Sequence, residues 1–220
     1  MKWIHVPLWM GLLPIGGITV SYLLAIAEGH VASCIPFIEG CTSISSTGRS
    51  PPEAYVFRIT LIPSAILLAL YWRLVYVWLR NMSNSLPLSV RLLPYLGAFA
   101  AVFLLVYANV VGAIGEVHAL QRRIGVTVFF ASNMVAQLLF TRQLLILRQR
   151  GEIPPDHRIP DIKLWLCGLM LACGLLILPK YLTGWDTDNI VEWNVALLSH
   201  LYFLATHTLW RTLGVSPTIR

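Results

Sequence analysis

The chain has 220 residues, of which 57% are hydrophobic and 12% charged, and its formal charge is +6. Soluble domains carry roughly 25% charged residues, so this composition excludes a water-coated globule. It also excludes a nucleic-acid binder, because the basic residues sit in short connectors between apolar runs rather than in one patch.

A helix that crosses a bilayer core needs roughly 20 predominantly apolar residues. Runs of that kind cover residues 7–27, 54–79, 92–114, 124–146, 162–181 and 191–213. They predict an all-α integral membrane protein, a bundle of about six transmembrane helices with a structured first outer loop, forming a single transmembrane domain over 1–220. The first run is too long for a cleavable signal peptide, and no clear small-residue cleavage site follows it. Pro14, Pro63 and Pro94 lie within or near the starts of spans, where neighbouring helices re-satisfy the freed backbone groups. Only the connectors 28–53 and 147–161 have room for structure of their own.

Orientation follows from the Lys/Arg bias. One side receives Lys2, Arg73, Arg80, Arg91, Arg142, Arg148, Arg150, Arg158, Lys163, Arg211 and Arg220, and the other Arg49, Arg58, Arg122, Arg123 and Lys180. Both termini are therefore expected in the cytoplasm and the 28–53 loop outside; plasma membrane and endomembrane fit equally. Acids lean the other way, with Glu28, Glu39, Glu53, Glu116, Asp186, Asp188 and Glu192 outside against Glu152, Asp156 and Asp161 inside. Acids contribute little to topology, so their asymmetry suggests a polar outer vestibule, although solvated loop surface is the ordinary reading.

The first loop reads Cys34-Ile-Pro-Phe-Ile-Glu-Gly-Cys41, then a hydroxyl run from Thr42 to Thr47, then Gly48-Arg-Ser-Pro-Pro-Glu53. Cys34 and Cys41 lie in an oxidising location at a separation that closes easily, so a disulfide is expected, with two free thiols as the alternative. Cys167 and Cys173 read as small packing residues in the fifth span. Pro51, Pro52 and Glu53 suit a helix start, since an acid in the first turn favours the macrodipole. The stretch Ser45–Glu53 thus offers either a binding surface or a well-capped re-entry into the membrane.

His118 follows Glu116 at the outer end of the third span, and His200 and His207 share one face of the last span. With Glu192 they draw a polar line down that helix, either a site or path through the bundle or interhelical bonding that holds it together. A metal held by His30, His118 and His200, with Asp186 or Glu116, has no HxxxH or HExxH spacing behind it, so neither metal nor cofactor is assigned. A serine hydrolase built on Ser43, Ser45 or Ser46 with His118 lacks a Gly-x-Ser-x-Gly elbow.

Ile44-Ser-Ser-Thr-Gly-Arg-Ser-Pro-Pro-Glu53, followed by Phe57, resembles the first-loop signature of the DRAM-like membrane proteins. These are the damage-regulated autophagy modulators and the related proteins that remodel GPI-anchor lipids. Ala108-Asn109, His118 and Phe129-Phe130 are similar to the family's middle section, and Glu192-Trp193, Tyr202 and Thr206 to its last helix. Ser46 stands where the family often has Asp, and Glu116-Val117-His118 where the GPI-remodelling branch tends to carry His-Glu. The resemblance implies a six-helix bundle with cytoplasmic termini and a role in handling lipids.

The expected function is to bind, organise or help remodel membrane lipids through an outer-face site. The alternatives are a membrane-embedded acyltransferase or hydrolase and, behind these, a small-solute or ion transporter. Candidate binding residues are Ser45, Ser46, Thr47, Arg49, Glu53, Glu116, His118, Trp185, Asp186, Glu192 and His200. Arg49 or Arg58 would suit a phosphate. Membrane lipids are the expected partners, with membrane proteins as further possible partners.

Overall fold

The computed structural model describes residues 3–82, 86–176, 187–215 and 217. Within them the chain forms α1 (Val6–Ala27), α2 (Pro36–Glu39), α3 (Glu53–Met82), α4 (Leu88–Arg91), α5 (Leu93–Val110), α6 (Glu116–Gln149), α7 (Ile159–Leu175) and α8 (Asp188–Thr212). Short 3-10 turns precede α1 and occupy Ile44–Gly48. There is no strand among the described residues.

Local chemistry sets the helix ends. Proline stands in the first turn of α1, α5 and α7, where its fixed φ suits the helix and its missing N–H is not needed. Glu53 opens α3 and Glu116 opens α6, both placing a carboxylate at the positive end of the macrodipole. Between α5 and α6 the chain turns at Gly112 and Gly115, with φ of 86° and 118°, in the region that favours glycine. The third apolar run therefore ends as a helix at Val110 rather than at 114. The fourth begins as a helix at Glu116, ahead of the expected 124, because Gln121, Arg122 and Arg123 are good helix formers though not apolar.

The order of packing differs from the order of the chain. α6 packs on α5, α5 on α3, α3 on α1, α1 on α8, α8 on α7, and α7 returns to α6. α3 supplies the centre: Phe57, Leu61, Leu68, Trp72, Val75 and Leu79 recur at helical spacing and are almost fully buried. Gly97 on α5 lets Trp72 lie directly against the helix backbone. Large side chains such as Leu23, Ile59, Ile66 and Trp165 are exposed on the outer faces, as befits helices that meet lipid rather than water.

Four helical stretches among the described residues are long and apolar enough to cross a membrane: Trp3–Ala27, Glu53–Met82, Leu88–Val110 and Glu116–Gln149. α7 and α8 occupy the places of the fifth and sixth expected spans, and residues 177–181 of the fifth lie outside the described residues. Lys163, which as sequence reads like a flanking cytoplasmic charge, is wholly buried. Its Nζ donates to Tyr202 O at 3.0 Å and Thr206 Oγ1 at 2.6 Å and lies 3.3 Å from the Tyr202 ring centroid. These contacts replace the water that a flanking lysine would keep.

Candidate functional site

The first loop is built as a clamp on the start of α8. A Cys34–Cys41 disulfide closes its first half, and the Tyr22 hydroxyl donates to Cys34 O at 2.7 Å. Hydrogen bonds in both directions tie the loop to α8. Asn189 Nδ2 donates to Gly40 O at 2.7 Å, Trp193 Nε1 to Thr42 O at 2.9 Å and Asn194 Nδ2 to Phe37 O at 2.8 Å. In the other direction, Ile44 N–H donates to Glu192 Oε2 at 3.3 Å. The far end of the loop touches the α5–α6 turn, where a Cβ on Gly112 would come within 2.5 Å of Arg49 O.

Beside this clamp lies a cavity of about 820 Å³ between α6, α7 and α8. Its loop end is polar, lined by Ser45, Arg49, Arg122, Arg123, Asp188 and Glu192. Its walls are apolar, from Val126, Phe130, Met134, Met170, Leu171 and Val195. Its far end is polar again, with Asn133, Gln137 and Ser199. There Ser199 Oγ accepts from Asn133 Nδ2 at 3.1 Å and Gln137 Nε2 at 2.9 Å, and Asn133 Oδ1 accepts from Trp72 Nε1 at 3.1 Å. Two buried polar atoms on the lining have no hydrogen-bond partner among the described residues: the Tyr107 hydroxyl and Gln137 Oε1. Such atoms are uncommon inside proteins and call for an explanation.

Of the residues singled out from sequence, Ser45, Arg49 and Glu192 line this cavity. Ser46 and Thr47 bond within their own loop: Ser46 N–H donates to Ser43 Oγ at 3.1 Å, and Thr47 Oγ1 to Ile44 O at 2.7 Å. Glu53 is buried; its Oε1 pairs with His30 Nδ1 at 2.8 Å, and its Oε2 has no partner among the described residues. Glu116 is exposed in the first turn of α6. His118 Nδ1 contacts Gln121 Oε1 at 3.0 Å. Arg58 donates to Val111 O at 2.7 Å. Trp185 and Asp186 lie outside the described residues.

The histidines of α8 turn elsewhere. His200 Nδ1 donates to Ala196 O at 2.5 Å, and His200 lines a second cavity of about 40 Å³ against Met10, Pro14 and Ile18 of α1. Glu192 and Tyr107 line both cavities. His207 Nδ1 donates to Ile4 O at 2.8 Å, beside the His5 ring. Among the described residues no group of His, Cys, Asp or Glu has a metal-binding arrangement. The Ser43 hydroxyl contacts those of Ser45 and Ser46 at 3.0 and 2.8 Å.

Sequence reasoning missed Tyr107, Asn133, Gln137 and Ser199, and treated Arg122 and Arg123 only as topological charges. A signal was there: Asn133, Gln137 and Thr141 recur every four residues in an apolar helix, and so share one face.

Residues 2–208 match the family model described as "Frag1/DRAM/Sfk1/Cwh43P N-terminal domain". No curated protein and no solved structure is a match.

Proposed function

From the premise that the chain belongs to the Frag1/DRAM/Sfk1/Cwh43P N-terminal domain family, we propose that this membrane protein binds lipid in the cavity between α6, α7 and α8, and thereby organises or helps remodel membrane lipids. The reading takes the chain as six spans in one domain, with both termini cytoplasmic, and is supported there by the excess of Lys and Arg on one side. The observation that carries it is the cavity itself. At about 820 Å³ it falls in the range of ligand pockets, roughly 300–1,000 Å³. Charged groups at the loop end followed by apolar walls along the helices match a lipid headgroup and its chain, with the polar floor at Asn133, Gln137 and Ser199 lying beyond the chain.

Binding is favoured over acyl transfer or hydrolysis. Catalysis needs a base within hydrogen-bond reach of a nucleophile, whereas the loop hydroxyls contact one another and His118 contacts Gln121. The test fills the cavity. Met134→Trp enlarges a wall residue, and Gly174→Trp starts from a Cβ position with nothing within 4 Å. Both variants are expected to fold in detergent and to lose co-purified lipid by mass spectrometry. Undiminished lipid in both folded variants overturns the reading.

A further inference from the structure

The loop end of the cavity has more positive groups than negative ones. Arg49, Arg122 and Arg123 line it against Asp188 and Glu192. None of the three arginines is in an ion pair among the described residues, whose ion pairs are His30–Glu53 and Arg148–Asp161. Arg122 gives one Nη to Ala113 O at 3.2 Å and Arg49 one to Ser45 Oγ at 3.5 Å, so most of their donors have no acceptor among the described residues. Glu192 is partly spent on the loop, through Ile44 N–H. The Tyr107 hydroxyl is buried, has no hydrogen-bond partner among the described residues, and lies within electrostatic reach of Arg49, Arg122 and Glu192. These features together present an excess of donors to one small volume.

We infer that the cavity takes a phosphate-bearing lipid, its phosphate held by Arg49, Arg122 and Arg123 at the loop end and its acyl chain lying along α6 against α7 and α8. This rests on the lipid-binding reading above and narrows it to a class of ligand. Phosphate fits the donors better than a carboxylate does. Guanidinium groups bind either anion in a bidentate fashion, but a carboxylate has two oxygens for three guanidiniums and a phenol. A phosphate monoester, with three terminal oxygens, has enough to engage them all. The depth suits a chain as well. From Arg123 to Gln137 α6 rises about 21 Å at 1.5 Å per residue, which carries the cavity past the middle of a hydrocarbon core about 30 Å thick. Met134, Met170 and Leu171 on the way are flexible aliphatic walls.

The test uses the full chain in a mild nonionic detergent, with native mass spectrometry as the readout. The probes are phosphatidic acid, diacylglycerol of the same chains, oleate and inorganic phosphate. Phosphatidic acid is expected to be retained about tenfold better than diacylglycerol or oleate, and inorganic phosphate to leave it bound. The double variant Arg122→Gln/Arg123→Gln is expected to lose about tenfold in phosphatidic acid retention, with diacylglycerol unchanged. Should that variant not fold, Arg49→Gln, at an exposed position of the loop, carries the same expectation. Equal retention of diacylglycerol or oleate overturns the phosphate assignment while leaving lipid binding intact. Displacement of phosphatidic acid by inorganic phosphate overturns the lipid as the ligand of the arginines. No retained lipid of any kind, with no effect of Gly174→Trp, removes the lipid-binding reading and this inference with it.

Discussion

Ser199→Ala tests whether the far end of the cavity is wet or sealed. The substitution removes one oxygen and almost no volume, so a void term is negligible and the hydrogen bonds decide. It strips the acceptor from Asn133 Nδ2 and Gln137 Nε2. In a dry interior each orphaned donor costs about 1–3 kcal/mol, for a total of about 2–6 kcal/mol. Interhelical bonds in membranes are worth less, about 0.6 kcal/mol on average and up to about 1.7, because separated helices find other partners. Asn133, Gln137 and Ser199 all line the cavity, so any water there reaches the freed amides. The expected loss is therefore about 1–2 kcal/mol. Equilibrium unfolding in mixtures of nonionic detergent and dodecyl sulfate measures it. A cycle with Gln137→Leu is expected to show coupling of about 0.5–1 kcal/mol. A loss above about 4 kcal/mol would mean a sealed, dry floor and would refute the cavity as described; no loss and no coupling would refute the hydrogen-bond network.

Three further expectations follow. Alkylation under denaturing conditions without reductant should reach only Cys167 and Cys173, the free cysteines, and all four after reduction; four modified thiols without reductant would rule out the Cys34–Cys41 bridge. A cysteine in place of Ser50 should react with a membrane-impermeant maleimide on intact cells, and reaction only after permeabilisation would invert the proposed topology. Arg148 grips Asp161 through both guanidinium nitrogens at 2.6 and 2.8 Å and holds its carboxyl below the usual value of 3.8. A lowered folded-state value means that the pair stabilises fully above the ordinary carboxylate range and stops doing so as pH falls through the folded value. The Asp161 side chain is 49% exposed, so the solvent-screened contribution is less than about 1 kcal/mol. Asp161→Asn should thus be slightly less stable than the parent at neutral pH and equal to it in strong acid. A difference that persists in acid contradicts the assignment.

Much of the helical layout was legible because a bilayer imposes a length on apolar runs. Helix ends were less so. Hydropathy reports where a helix meets lipid, whereas α6 starts at Glu116 because a glycine turn releases it there and helix-forming polar residues follow. The disulfide was legible from loop length and location. The cavity was not, since its lining comes from the first loop, α5, α6, α7 and α8. Nothing in chain order states that α8 sits between α1 and α7. The polar line on α8 illustrates the difficulty. His200 was the conspicuous residue, yet one helical step is about 100°, and it is Ser199 that faces the large cavity while His200 faces α1.

The most distinctive stretch of sequence, Ile44–Glu53, is joined to the cavity through α8 more than through its own hydroxyls. Of Ser45, Ser46 and Thr47, only Ser45 lines the cavity. The loop instead holds Asn189, Glu192, Trp193 and Asn194, all within the first two turns of α8. Glu192 does both jobs, since it accepts from Ile44 N–H and lines the cavity wall. Any shift of the loop must therefore move or strip that carboxylate, and any ligand that engages the loop end must share space with it. Arg49 makes the connection in the other direction: its carbonyl packs on Gly112 at the α5–α6 turn while its side chain reaches the cavity. A loop pinned at both ends in this way sets the position of the cavity's charged end, so substitutions in Ile44–Glu53 that leave the helices folded should act on ligand retention before they act on stability.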